Sequence, residues 1–242
     1  MNKDTRFLEA IKQCEDNMRY AVEHNQVLEY ENKIVQGNCI ELMKKIPNNT
    51  FDLVLTDPPY NAESIGPNKR IYLGQKMKLT DSEYKKFCKD WFREAKRISK
   101  NLVFTPGIAN THFYPAPFWQ LCWHKPSAVS FNCMGGFNAW EPIFIYGKPV
   151  KGERLGQDYI RQNTLNLTPG IWKKHPCPKP LPLWEKLVKA FSTEGDIVAD
   201  PFIGSGTTAV ACKNLKRRYF GIDLIQEYVD ITNERLKQDL LL

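Results

Sequence analysis

The segment LVLTDPPYN, from Leu53 to Asn61, ends an apolar run in a carboxylate, two prolines and a tyrosine. The run FDLVLTD (51–57) is typical of a buried parallel strand, because it is short, apolar and rich in β-branched residues. Each proline removes a backbone donor and fixes φ. A strand that ends so stiffly is predicted to hold a functional group in place, although a strained turn is the structural alternative. The candidate catalytic residues are Asp57, Pro58, Pro59 and Tyr60.

A second candidate site is the segment DIVADPFIGSGTTAVA (196–211), in which Gly204-Ser205-Gly206 separates a predicted strand from a predicted helix. Glycines let the backbone approach a ligand closely, and a helix N-terminus attracts negative charge. Asp223 comes at the end of the next predicted strand, where an acid can accept hydrogen bonds from ribose hydroxyls. The alternative is an ordinary tight turn followed by a strand-end aspartate.

The residues of this turn favour one class of ligand. The pattern lacks the third glycine of a dinucleotide fingerprint, and Asp200 before the turn would repel a pyrophosphate. Both features argue against a nicotinamide oxidoreductase. A ligand with an ammonium and a carboxylate fits better, and the methionyl end of S-adenosylmethionine has both.

The surrounding sequence predicts alternating strands and helices, and therefore an α/β fold with a mostly parallel sheet. Helices are predicted at 39–46, 81–99, 181–192, up to about 215, and from 226. The apolar residues of the 81–99 helix recur every three or four positions. Strands are predicted at 32–38, 51–57, 101–106, 196–200 and 218–223, with shorter pieces around 128–133 and 142–147.

Composition limits the class of protein. The 242 residues suffice for one large α/β domain. Seven cysteines occur singly, which argues against a zinc site or a disulfide framework and favours a cytoplasmic location. The histidines show no metal-ligand spacing, so no metal is expected. No apolar run is long enough to span a membrane, and the first residues are too charged for a signal peptide.

Net charge is +7, and residues 61–100 contain eleven Lys or Arg against five Asp or Glu. This excess of Lys and Arg suggests a polyanionic partner, although basic residues on a solvent-exposed helix face would explain it equally well. In the loop after Tyr60, the candidate contacts to nucleic-acid phosphates are Lys69, Arg70, Lys76 and Lys78.

Four stretches together resemble the amino-group DNA methyltransferases. TDPPYN (56–61) resembles their catalytic motif, and DPFIGSGTTAVA (200–211) resembles their cofactor loop. HPCPKPLPLWEKLV (175–188) resembles the segment before that loop, and YFGIDLIQEYVDITNERL (219–236) resembles the strand and helix after it. The catalytic motif precedes the cofactor motif, which is the order of the permuted β group.

The resemblance implies a doubly wound, Rossmann-like sheet whose sequence is circularly permuted. We expect a single methyltransferase domain over 1–242, with a helical extension at 1–30 and a catalytic half at 33–147. A small target-recognition segment is expected at 148–172, and a cofactor-binding half at 173–242.

The resemblance also implies a reaction. Asp57 would accept one N–H of an exocyclic amine and the Pro58 carbonyl the other, while Tyr60 would stack on a base flipped out of the duplex. Aspartate at the first motif position usually accompanies adenine in the family, which implies methylation at N6 of adenine in double-stranded DNA. Cytosine N4, RNA and a catalytically silent subunit remain alternatives. Trp140 and Glu141 are candidates for lining the base pocket, unless Trp140 belongs to the core.

The residues implied to bind S-adenosylmethionine are Asn38, Asp57, Lys179, Asp200, Phe202, Gly204, Ser205, Gly206, Thr207 and Asp223. Two of them depart from the family pattern, since relatives more often have Glu at the place of Asp223 and many have Asp at the place of Asn38. Both departures bear on cofactor affinity rather than on reaction type. Dimers are common in the family, which makes a homodimer one alternative by analogy, while the oligomeric state and the target sequence stay open.

Overall fold

We describe residues 29–60, 79–127, 135–153, 155–164 and 177–238 in a computed structural model of the chain. These residues form an eight-stranded sheet with helices on both faces. The strands are β1 Lys33–Gln36, β2 Phe51–Thr56, β3 Ser99–Phe104, β4 Trp119–His124, β5 Trp140–Tyr146, β6 Tyr159–Arg161, β7 Ile197–Asp200 and β8 Arg218–Asp223.

The helices are α1 Cys39–Met43, α2 Asp81–Ile98, α3 Leu181–Phe191, α4 Thr207–Asn214 and α5 Gln226–Lys237, with a 3-10 helix at Ile108–Phe113. These elements confirm the five long strands and the helices expected from the sequence. The predicted strand at 128–133 and nearly all of the N-terminal extension lie outside the described residues. No described helix is long and apolar enough to cross a membrane.

The strand order β1-β8-β7-β2-β3-β5-β4-β6 explains how distant motifs meet. The first five strands in this order are mutually parallel, and β7 pairs directly with β2. In the sheet, β8 and then β1 lie beyond β7, and β3 lies beyond β2; the chain runs from β7 to β8 on one side and from β2 to β3 on the other. The strand order therefore reverses between β7 and β2, where open α/β sheets bind ligands. The permuted, doubly wound fold is confirmed.

The two faces of the sheet have separate hydrophobic cores. α1 and α2 cover one face, where Trp91 is fully buried against Phe104 and Tyr114. α3 and α4 cover the other face, where Trp123 of β4 and Trp184 of α3 are buried. The amphipathic pattern of α2 thus faces the core as expected, and the helix starts at a complete capping box between Thr80 and Glu83.

Two strands were missing from the sequence prediction. β4 lies in the aromatic region and pairs antiparallel with β5, and the three-residue β6 pairs with β4. β6 falls inside the interval 148–172, so part of the predicted target-recognition segment is an edge strand. Three residues are too few for a periodic pattern, and only their parallel pairing with Cys122, Trp123 and His124 of β4 defines this strand.

Candidate active site

Three parallel strands place polar residues at one edge of the sheet. At the end of each strand a polar residue is followed directly by a proline. Asp57-Pro58 follows β2, Thr105-Pro106 follows β3, and Asp200-Pro201 completes β7. Because carboxyl ends of parallel strands share an edge, these side chains meet. The Thr56 hydroxyl donates to Asp200 Oδ1 at 2.6 Å across the β2–β7 junction. The chemistry-bearing residues therefore sit at the switch point.

Both carboxylate oxygens of Asp57 have partners. Oδ1 accepts hydrogen bonds from the hydroxyls of Tyr60, at 2.5 Å, and Thr105. Oδ2 lies 2.6 Å from the Lys179 ammonium, and both side chains are mostly shielded from solvent. The carboxylate is therefore fixed in direction, which is the preorganisation that an acceptor in catalysis needs.

Tyr60 is positioned by the strand end and by the loop after β3. Its hydroxyl lies 3.1 Å from the Thr105 carbonyl oxygen, and Gly107 packs so closely that a Cβ there would lie 3.3 Å from the Tyr60 ring. Burial and the neighbouring Asp57 and Glu141 carboxylates raise the pKa of Tyr60 well above its usual value. The phenol therefore remains a hydrogen-bond donor to Asp57 over the physiological pH range.

The proline pair is also anchored. The Tyr84 hydroxyl on α2 donates to the Pro59 carbonyl oxygen at 3.0 Å. Pro58 is buried, and Pro59 is half-buried. This contact ties the catalytic motif to the first turn of α2 and limits movement of the Asp57–Tyr60 segment.

Lys179 reaches this edge from the segment before α3. Its ammonium lies 5.6 Å from the Tyr60 ring centroid and 5.9 Å from that of Trp123. Burial by itself lowers the pKa of Lys179, but the Asp57 and Glu141 carboxylates more than offset this effect and raise it. Lys179 is therefore a buried ammonium paired with Asp57, with the Glu141 carboxylate near enough to affect its pKa.

Asp200 is almost completely buried and accepts three hydrogen bonds. Its donors are the hydroxyls of Thr56 and Thr208, at 2.6 and 2.5 Å, and the Phe202 amide, at 3.0 Å. Burial raises the pKa of Asp200 to about 6, although these hydrogen bonds lower it in part. The carboxylate shapes the start of the glycine turn, so its effect on a ligand would come through that turn.

The glycine turn is braced by the last helix. Gly206 has φ +80° immediately before α4, and a Cβ there would lie 2.6 Å from Thr232 of α5. The Thr232 hydroxyl donates to the Gly204 carbonyl oxygen at 3.0 Å, and Arg235 donates to that of Ser205. Only glycine fits this conformation and spacing.

Asp223 lies beside the same turn at the end of β8. Its carboxylate accepts the Gly204 amide at 3.0 Å and the Ile225 amide at 2.9 Å. Burial raises the pKa of Asp223, and the backbone donors lower it. The carboxylate predicted to take ribose hydroxyls therefore also orders the turn, as Asp200 does.

The other predicted cofactor residues lie nearby with defined contacts. Asn38 Oδ1 caps α1 by accepting a hydrogen bond from the Ile40 backbone amide at 3.0 Å. The side-chain NH2 group of Asn38 is left for any ligand contact. Phe202 packs edge-on against Phe87 and Trp91 of α2. Thr207 donates to the Lys179 carbonyl oxygen at 3.3 Å, which links the turn to the lysine segment.

Four predicted residues lie outside the described part of the chain, namely Lys69, Arg70, Lys76 and Lys78. Within the described ranges, no group of three or more His, Cys, Asp or Glu residues could hold a metal ion. Trp140 is 39% exposed, so the alternative that it belongs to the core is wrong.

Sequence reasoning missed Thr105 and Lys125. Thr105 carries the same signal as Asp57, a polar residue between an apolar strand and a proline, and that signal could have identified it. Lys125 is 5% exposed and lies 2.5 Å from Glu141 Oε1, across the β4–β5 pair. The sequence offers no local signal for this pairing, because a lysine in an aromatic region is usually exposed.

Comparison with known proteins shows what this chain is similar to. A family model described as DNA methylase matches residues 120–234. The type II methyltransferase M.HinfI of Haemophilus influenzae is 29% identical over 250 residues, covering 87% of this chain and 69% of that protein. M2.DpnII of Streptococcus pneumoniae is 29% identical over 240 residues, covering 85% of this chain and 90% of that protein.

Solved structures agree on the fold. The PvuII DNA methyltransferase, named as cytosine-N4-specific, superposes with a TM-score of 0.68 at 17% identity, covering 88% of each chain. The M1.HpyAVI–SAM complex superposes with a TM-score of 0.60 at 23% identity, covering 85% of this chain and 99% of that one. The family match and the relatives above show that the chain is similar to the amino-group DNA methyltransferases, and the solved structures, one of them a complex with SAM, share its fold.

Proposed function

We propose that this protein transfers a methyl group from S-adenosylmethionine to the N6 amine of adenine in double-stranded DNA. The observation that carries the proposal is the fixed carboxylate of Asp57, held by the hydroxyls of Tyr60 and Thr105 at the switch point of the sheet. A carboxylate with a defined direction is what an exocyclic amine requires of its acceptor.

The chemistry follows from the weak nucleophilicity of that amine, whose lone pair is delocalised into the ring. Asp57 accepts one N–H and the Pro58 carbonyl accepts the other, so that the nitrogen becomes more tetrahedral and its lone pair is free to attack. When bound, S-adenosylmethionine supplies an electrophilic methyl group on a sulfonium. Tyr60 and Thr105 already orient the Asp57 carboxylate for this role.

The cofactor loop suits the proposed ligand. The turn from Gly204 to Thr207 places backbone amides and hydroxyls at the start of α4, where a carboxylate is favoured. Asp223 flanks the turn as an acidic neighbour for ribose hydroxyls, and the buried Asp200 supports ligand binding by shaping the turn. Asn38 follows Gly37, whose amide donates to the Asp223 carbonyl oxygen at 2.9 Å, and this proximity supports a contact between Asn38 and the adenine of the cofactor.

Adenine is favoured over cytosine because the catalytic motif begins with aspartate. Duplex DNA requires that the base be flipped out, at a cost of a few kcal/mol. Stacking on Tyr60 would return about 1–3 kcal/mol of this cost.

Phosphate contacts are assigned to Lys69, Arg70, Lys76 and Lys78. The cytoplasmic location and the homodimer stay predictions.

Mass spectrometry of nucleosides tests the proposal. The protein is incubated with S-adenosylmethionine and unmethylated duplex DNA, and the DNA is digested to nucleosides. We expect N6-methyladenine from the native protein and none from Asp57→Ala, with the Kd for S-adenosylmethionine changed only a few-fold. Asp230→Ala, at an exposed site on α5, is the control and should retain the native rate.

Each other product refutes a specific part of the proposal. N4-methylcytosine would refute the base assignment, and methylation of RNA alone would refute the nucleic-acid assignment. Turnover by Asp57→Ala would refute the role of that carboxylate. A protein that binds cofactor and DNA but yields no methylated base would be a silent subunit.

A further inference from the structure

Two features of the site are unusual when taken together. Asp57 already has a partner on each oxygen, although the proposed reaction requires it to accept an amine. The partner on Oδ2 is a full positive charge at 2.6 Å. A charge-assisted contact is roughly twice as strong as a neutral one, so a neutral amine N–H competes poorly with an ammonium for Oδ2.

Glu141 shows the opposite situation. Its Oε1 lies 2.5 Å from the Lys125 ammonium, but its Oε2 is buried and has no hydrogen-bond partner among the described residues. An unpaired oxygen on a buried carboxylate is costly, so such a group is expected to gain a partner at some stage of function.

Glu141 and Lys179 lie on the same side of the sheet. Glu141 pairs with Trp123 in the β4–β5 ladder, so both side chains project from one face. The Lys125 and Lys179 ammonium groups lie 5.5 and 5.9 Å from the centroid of that Trp123 ring. Two lysines therefore lie near this ring. Lys125 is already paired with Glu141, and Lys179 is the second.

We propose that Glu141 receives the Lys179 ammonium when the target amine takes its place on Asp57. The proposal rests on the proposed function and makes Glu141 a positioning residue for the reaction. Lysine has a flexible four-carbon stem with three donors, so the ammonium can change partners without movement of the backbone. One transfer frees Asp57 Oδ2 and satisfies Glu141 Oε2.

No proton moves in this exchange. Lys179 stays an ammonium in both positions, because an acidic neighbour is present in each of them. Its remaining donors are still available for the methionyl carboxylate, the contact expected from the sequence. The exchange would therefore accompany binding of the flipped base and leave binding of the cofactor unchanged.

A double-mutant cycle tests the coupling. Glu141→Gln, Lys179→Met and the double variant are compared in single-turnover methylation of unmethylated plasmid DNA with radiolabelled S-adenosylmethionine. Glu141→Gln retains the shape of the side chain but not its charge. We expect it to slow methyl transfer about tenfold while the Kd for S-adenosylmethionine stays unchanged. The double variant should be no slower than Lys179→Met alone.

Other outcomes overturn the inference. Rate losses that multiply in the double variant would mean that Glu141 acts independently of Lys179. A native rate in Glu141→Gln, with weaker cofactor binding in Lys179→Met, would mean that the ammonium serves the cofactor alone. A native protein that methylates nothing would refute the proposed function instead, so the two failures are distinguishable.

Folding is controlled separately. Glu141→Gln leaves the buried Lys125 without a charged partner, which could destabilise the protein. The same cycle is therefore repeated in a Lys125→Met background, where no unpaired ammonium remains. Glu153→Gln, at a surface site with a distant lysine partner at 4.0 Å, is the matched control and should leave the rate unchanged.

Discussion

Replacing Asp200 by asparagine is expected to stabilise the protein at neutral pH, even though the residue lies at the centre of the site. Burial raises the pKa of Asp200 from 3.8 to about 6. A shift of about two units corresponds to about 3 kcal/mol of unfavourable free energy for the ionised folded state, at 1.36 kcal/mol per unit. Asparagine has the same shape and no charge, so this cost disappears.

Part of the gain is lost in hydrogen bonding. Asparagine Oδ1 still accepts from the Thr56 hydroxyl and the Phe202 amide, but its NH2 group cannot accept from Thr208. A buried hydroxyl proton without an acceptor costs about 1–3 kcal/mol. The net expectation for Asp200→Asn is a gain of about 0–2 kcal/mol at pH 8.

The pH dependence has a definite sign. Because the folded pKa of Asp200 lies above the unfolded value, its protonated form stabilises the native protein at low pH. That contribution is lost as pH rises from about 4 through about 6. The advantage of Asp200→Asn should therefore grow over this range and stay constant above it. Near pH 4, where only the hydrogen-bond loss remains, the variant should be less stable than the native protein by about 1–3 kcal/mol.

Urea denaturation between pH 4.5 and 8 measures this difference. Asp230→Asn, at an exposed position on α5, is the control and should show no pH-dependent difference from the native protein. An Asp200→Asn variant that is less stable at pH 8, or whose advantage does not change with pH, would refute the assignment of a costly buried charge.

Three further predictions concern backbone and charge. Gly107→Ala should destabilise the protein by about 1–3 kcal/mol and slow methylation, because φ is +72° and the new Cβ would press on the Tyr60 ring at 3.3 Å. Gly206→Ala should cost more than 2 kcal/mol in a denaturation experiment, because φ is +80° and a side chain of α5 lies 2.6 Å away. Replacing Lys76 and Lys78 together by Gln should weaken DNA binding and reduce its salt slope by about two.

Controls separate the causes. Gly195→Ala has φ +85° with nothing within 4 Å of the new Cβ, so it measures backbone strain without a clash. Equal losses at Gly195 and Gly206 would contradict the close approach to α5. Replacing the exposed Lys189 and Lys216 by Gln should leave the salt slope unchanged. An unchanged slope after replacement of Lys76 and Lys78 would mean that these lysines do not contact phosphates.

Local patterns in the sequence were enough to predict most of the sheet. The apolar runs of β2 and β7 and the period of α2 are signals that a chain carries within a few residues. β4 and β6 escaped prediction because one has a mixed pattern and the other only three residues. The interval containing β6 therefore looked like a loop until its pairing with β4 was known.

The sequence by itself indicated the resemblance to the amino-group DNA methyltransferases and the candidate residues Asp57, Asp200 and Asp223, because glycine, proline and strand-end acids leave local patterns in the chain. Tertiary structure alone decided which groups surround each carboxylate. Lys179 reaches Asp57 across more than a hundred residues, and Lys125 meets Glu141 only because β4 pairs with β5. Charge, burial and partner choice depend on such distant contacts, and no local pattern encodes them.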